Sequence, residues 1–129
     1  MSLVGTYRLK YYIHASHAVR WNDGIGEAHS HSWEITLEFQ STNDEMIVFE
    51  DIEALLGDIF SVYSGAFLNE IEPFNAINPT LENVGKEFFK LVEKQIKPIY
   101  AKLIRLEVGE SPMRFYYVTR EEMSDAIEK

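Results

Sequence analysis

Twelve consecutive residues, His29 to Gln40, sort by parity into two chemically distinct sets. His29, His31, Trp33, Ile35, Leu37 and Phe39 share one side, and Ser30, Ser32, Glu34, Thr36, Glu38 and Gln40 share the other. A helix, with 3.6 residues per turn, cannot separate such a pattern; a strand, which reverses side-chain direction at each residue, does. Residues 6–17 behave alike: Tyr7, Leu9, Tyr11, Ile13 and Ala15 oppose Arg8, Lys10, Tyr12 and His14. Two long, half-buried strands in the first third of the chain require a sheet with one covered face.

The cover is supplied by helical periodicity further on. From about Glu50 to Tyr63, Ile52, Leu55, Leu56, Ile59 and Phe60 recur at helical spacing, and Ser64-Gly65 breaks the run. Residues 66–78 read as irregular. A second helix begins at Asn78-Pro79-Thr80, with Asn or Thr as cap and Pro in the first turn. Its stripe is Leu81, Val84, Phe88, Leu91, Val92 and Ile96, and Pro98 ends it. Leu103–Glu110 reads as a third strand, with Ile104, Leu106 and Val108 on the apolar face and Glu110 in the same parity. Met113–Thr119 is the fourth strand, and the acidic tail 120–129 is read as helical.

The order is therefore β-β-α-α-β-β, an α+β fold in one domain over residues 1–129, with two helices on one face of a four-stranded antiparallel sheet. Two helices cover only one face of such a sheet. The open face and the long edge strands call for oligomerisation into a closed barrel.

All four histidines lie between positions 14 and 31. His29 and His31, two residues apart, point the same way from one strand. His17 has the core parity of the first strand, whereas His14 has the opposite parity and is expected at the surface. Two imidazoles from one strand and one from its neighbour make a three-ligand metal set with an open position. The competing reading is three core histidines satisfied by backbone groups, and spacing alone leaves both open. Imidazole ligation of a tetrahedral ion suits Zn²⁺, although Fe, Ni or Co would also bind.

Composition narrows the chemistry. The chain has no cysteine, which excludes disulfides, thiolate metal sites and a cysteine nucleophile. Its net charge is −9, and no concentrated basic face is evident, so nucleic acid is not the expected partner. The lysines at 86, 90, 94 and 97 are read as a solvated helix face, and Arg20 as a plain surface arginine rather than a phosphate contact. No long apolar run suggests a membrane span and no signal-peptide pattern opens the sequence, so a cytoplasmic location is expected.

Ala15-Ser16-His17 at a strand end, a loop, and His29-Ser30-His31 opening a second strand resemble the 6-pyruvoyl tetrahydropterin synthase and 6-carboxytetrahydropterin synthase family. Phe67-Leu68-Asn69 resembles the family's Leu-Asn element, Pro79-Thr80-Leu81-Glu82-Asn83 its Pro-Thr-x-Glu-Asn, and Val108-Gly109-Glu110-Ser111 its Val-x-Glu-Thr. These landmarks occur in order across nearly the whole chain. The resemblance implies a T-fold assembling into trimers or hexamers with sites between subunits, and a pterin-type small molecule as partner. It implies that His17, His29 and His31 are zinc ligands, that Glu110 anchors the pterin, and that Thr80 and Glu82 help hold the ring. An ionised carboxylate accepts two hydrogen bonds, and a pterin offers an amino group and a ring N–H side by side.

The departures bear on catalysis. The family's His-Gly-His is His-Ser-His here, its catalytic cysteine is missing, and its Asp-His pair would fall at Ser64 and Gly65. One branch uses Glu-x-x-His in place of the cysteine; here Glu27-Ala28-His29 is one residue closer, which makes Glu27 the candidate base. The expected function is zinc-dependent, lyase-type chemistry on the side chain of a dihydropterin. The alternative is a pterin- or purine-like ligand-binding protein that has lost the synthase reaction.

Overall fold

The computed structural model describes residues 2–121. Strand β1, Tyr7–His17, pairs antiparallel with β4, His29–Ser41, from Tyr7 opposite Phe39 to His17 opposite His29. Between them a small hairpin pairs β2, Arg20–Trp21, with β3, Gly24–Ile25, around the expected Asn22-Asp23-Gly24 turn. Helix α1 spans Phe49–Phe60 and α2 spans Leu81–Ile96. Strands β5, Ala101–Ser111, and β6, Arg114–Thr119, complete an antiparallel sheet of order β1-β4-β5-β6. From residue 122 onward, the tail read as helical lies outside the described residues.

The parity read in the sequence carries through. Trp33, Ile35, Leu37 and Phe39 have no exposed surface, and Ile52, Leu56, Val84 and Phe88 close over them from the helices. Burying each such side chain contributes roughly 1.5–3 kcal/mol. Phe60, Tyr63, Phe74 and Phe88 pack edge to face between α1, the 61–78 segment and α2. Gly85 lets α2 lie close on the sheet: a Cβ there would stand 3.2 Å from the Tyr116 ring and from Val108.

The alternation fails in one place. Ile104 was expected on the apolar face, but the β4–β5 register slips between Glu38 and Phe39, so that Phe39 faces Leu103 and Glu38 faces Arg105. The bulge makes Ile104 the extra residue, and Leu103, 2% exposed, takes the buried place. Leu106, Val108 and Glu110 then resume the expected parity. The opposite face of the sheet is polar, with Lys10 against Glu34, Arg8 against Glu38, and the Arg105 guanidinium 3.7 Å over the Tyr117 ring.

Candidate functional site

The pocket is built at the end of the β1–β4 pair, where the core stripe runs out into histidines. His17 is 4% exposed and closes the buried row of β1. Its Nδ1 lies 2.7 Å from the Pro79 carbonyl. A carbonyl only accepts, so Nδ1 carries a proton and donates, which turns Nε2 into the pocket. Trp33 packs edge-on beneath both His17 and His31, with ring centroids 5.0 and 5.7 Å away.

The segment after His17 is held by two asparagines in the way a neighbouring strand would hold it. The Asn69 carboxamide accepts from Ala18 N at 2.9 Å and donates to Ala18 O at 2.7 Å. Asn78 does the same for Arg20, at 2.8 Å on both sides. The Arg20 guanidinium donates to the Phe74 and Ile77 carbonyls, at 2.8 and 3.3 Å. This corrects the reading of Arg20 as a plain surface residue: it ties the 74–78 loop to the start of the hairpin. Pro79, which receives His17, follows Asn78 directly. The cap of α2 is Thr80, whose hydroxyl accepts from Asn83 N at 3.1 Å.

Glu110 reaches the histidines from β5. The β5–β6 register shifts between Gly109 and Ser111, which places Glu110 in a second bulge. The bulge leaves Glu110 unpaired in the ladder, while its side chain keeps the side of Leu106 and Val108, toward the histidines. Its Oε2 is 3.5 Å from His17 Nε2 and 4.0 Å from His31 Nε2. One ligand atom from each of His17, His31 and Glu110 lies within 4.8 Å of the others, a spacing that suits a shared metal ion. Burial first, then the neighbouring His17, holds His31 below the ordinary imidazole range, and this favours the neutral ring that a metal requires. Two imidazoles and a carboxylate thus turn their donor atoms toward one another, an arrangement that a bound cation suits. The imidazoles of His17 and His31 suit Zn²⁺, and Glu110 stands within reach of the same position.

His29, the third expected ligand, stands opposite His17 in the ladder but is exposed, with its ring 6.3 Å from that of His31. It lines the same cleft, of about 520 Å³, as His17, His31, Thr80, Glu82 and Glu110. Glu27 is exposed and is not among the residues lining this cleft. His14 is exposed on the opposite face, as its parity predicts, and pairs with Ser32 at 3.0 Å. The cleft also contains residues that sequence reasoning passed over: Trp21 from the hairpin and Arg114 at the start of β6. No helix among the described residues is long and apolar enough to cross a membrane.

Several solved structures share this architecture. The Caenorhabditis elegans 6-pyruvoyl tetrahydropterin synthase superposes with a TM-score of 0.78 at 12% identity, over 92% of this chain and 97% of that one. An uncharacterized protein from Wolinella succinogenes gives 0.71 at 14% identity, over 93% and 100%. The Plasmodium vivax 6-pyruvoyltetrahydropterin synthase gives 0.71 at 12% identity, over 94% and 100%, and has also been solved as variants of a glutamate described as a catalytic residue. At these identities the likeness shows the fold. No curated protein matches the chain by sequence. The sequence model of the 6-pyruvoyl tetrahydropterin synthase family, however, matches residues 7–121. With its T-fold, a four-stranded antiparallel sheet and two helices, this chain belongs to the 6-pyruvoyl tetrahydropterin synthase family.

Proposed function

We propose that this protein is a zinc-dependent, tetrahydropterin synthase-like enzyme that carries out lyase-type chemistry on the side chain of a dihydropterin. One observation carries the reading. Residues from four separate stretches of sequence, His17, His29 with His31, Thr80 with Glu82, and Glu110, converge on one cleft. His17, His29 and His31 are the proposed zinc ligands: His17 and His31 already stand together, and His29, exposed at the cleft edge with its ring 6.3 Å from that of His31, turns inward to join them, which leaves Glu110 for the substrate. A zinc ion bound there supplies Lewis acidity to the oxygens of the substrate side chain.

The chain's own groups divide the remaining work. The Pro79 carbonyl fixes the His17 ring so that Nε2 faces the cleft. Glu110 accepts hydrogen bonds from the amino and ring N–H edge of the pterin, and Thr80 and Glu82 border the ring. Glu27 is assigned as the base that accepts a proton from the substrate side chain. The support is its place two residues before His29, the lack of any cysteine, and the glutamate described as catalytic in the Plasmodium vivax enzyme. Glu27→Gln should abolish turnover of dihydroneopterin triphosphate while leaving zinc bound. Undiminished turnover would transfer the role to Glu82 or Glu110, the carboxylates already in the cleft wall.

A second reading has a specific basis. Ser64 and Gly65 stand where the family's Asp-His pair falls, and Glu27 does not line the cleft. On that reading the protein binds a pterin or purine-like ligand without converting it. Incubation with dihydroneopterin triphosphate, and separately with dihydroneopterin, distinguishes the two. Release of triphosphate or of an aldehyde supports the enzyme; saturable binding without product supports the binding protein.

A further inference from the structure

The chain has two tryptophans, and they stand at opposite extremes of exposure. Trp33 is fully buried beneath the histidines, whereas Trp21 is 66% exposed at the rim of the same cleft. A lone exposed aromatic needs no explanation. This one is held in position on both sides. Arg20, immediately before it, is fixed at its backbone N–H, its carbonyl and its guanidinium by Asn78 and the 74–77 carbonyls. Successive side chains of an extended segment point to opposite sides. With Arg20 turned into the loop, Trp21 is turned away from it, to the cleft.

The indole is also closely backed. Gly26 lies behind it, and a Cβ at that position would stand 3.3 Å from Trp21 Nε1 and 3.3 Å from the Val19 carbonyl. The Gly26 N–H in turn donates to Val19 O at 2.8 Å, closing the hairpin base. A flat apolar surface thus borders a cleft that the Glu110 carboxylate and three imidazoles also line. A heterocycle gripped at its hydrogen-bonding edge by a carboxylate still has a bare π-face to cover. An indole is well suited to cover it, because stacking combines apolar burial with offset ring contact.

We propose that Trp21 is a specificity-determining residue of this site, its indole stacking on the flat face of a heterocyclic ligand whose edge is held at the Glu110 end of the cleft. The inference rests on the reading that the cleft takes a pterin, and it adds the residue that selects for ring planarity. Ligands with the same side-chain hydroxyls but no aromatic ring would lose this contact.

The test uses the zinc-loaded full chain, with dihydroneopterin as the probe. Its dissociation constant is measured calorimetrically for wild type, Trp21→Leu and Trp21→Phe, alongside zinc affinity and acrylamide quenching of tryptophan fluorescence. Because Trp33 is buried, quenching of the ligand-free wild type reports Trp21. The expected result is strong quenching without ligand and protection at saturation. Trp21→Leu should weaken dihydroneopterin binding by about 10-fold or more, within the range of base–aromatic stacking, and Trp21→Phe should largely restore it. Zinc affinity should be the same in all three. Unchanged binding in Trp21→Leu overturns the proposal, as does a parallel loss of zinc affinity, which would make the indole a structural support. Shielding of Trp21 before ligand is added also overturns it, because another copy of the chain would then cover the ring. Failure of the wild type to bind dihydroneopterin overturns the pterin reading and this inference with it; the other failures leave wild-type binding intact, so the two are distinguishable.

Discussion

His17 is the most tightly specified of the four histidines: its ring is packed on Trp33, its Nδ1 is spent on Pro79, and Ala18 beside it is clamped by Asn69. Its core position was legible in the sequence because strand parity is a local property, and the same parity put His14 on the other face. The partners were not legible. Pro79 lies 62 residues away and contributes a backbone carbonyl, which no side-chain pattern encodes. Arg20 was misread for the same reason, since its guanidinium is satisfied by carbonyls of a loop more than fifty residues further on. The asparagine clamp makes a prediction at this scale. Asn69→Ala leaves Ala18 N–H and C=O without their partner in a buried setting, where each unpaired group costs about 1–3 kcal/mol. Stability should fall by about 2–4 kcal/mol in denaturant unfolding, and zinc affinity should fall with it. A loss below about 0.5 kcal/mol would show that water replaces the carboxamide freely.

At the scale of elements, the long alternating strands and the two helical stripes were readable because each repeats its signal over many residues. Single-residue irregularities were not. The bulge at Ile104 and the shift that frees Glu110 depend on pairing with β4 and β6, and nothing in 103–110 alone announces them. Gly109 is tied to the second. A Cβ there would run into the Phe115 ring, so Gly109→Ala must displace β6 or swing the ring outward. Such overpacking costs about 1–3 kcal/mol. The cost should largely vanish in a Gly109→Ala/Phe115→Ala double variant relative to Phe115→Ala; an unchanged penalty there would contradict the assigned cause. The α1–α2 seam carries a separate signature in Tyr63. Burial first, then Glu87 and Glu72, raises its phenol above the ordinary tyrosine value. A folded-state value above the unfolded one gives stability that is complete below the unfolded pKa, near 10, and lost as pH rises through the folded value. Tyr63→Phe should therefore flatten the alkaline loss of stability above about pH 10, and an unaltered alkaline profile would rule this contribution out.

For the whole molecule, the cleft is where the fold brings together distant stretches. The β1–β4 pairing sets the three histidines in one ladder end, the Asn69 and Asn78 clamps bring the 66–80 segment beside them, and β5 delivers Glu110. The landmark motifs made most of this set readable in advance. What they did not reveal is that His17 and His31 lie nearest Glu110 while His29 stands further out, because that depends on the bulge and on where the strand leaves the sheet. The open face of the sheet is polar, with its charge ladders, and carries exposed Phe115 and Tyr117 on the edge strand β6. The account stands or falls on the cleft as a metal site. Calorimetric titration of the metal-free protein with Zn²⁺ should give one ion per chain, and His31→Ala, in a partly exposed position that tolerates truncation, should bind it about 10–100-fold more weakly or worse with the fold intact. No saturable zinc binding by the wild type, or equally tight binding by His31→Ala, would contradict it.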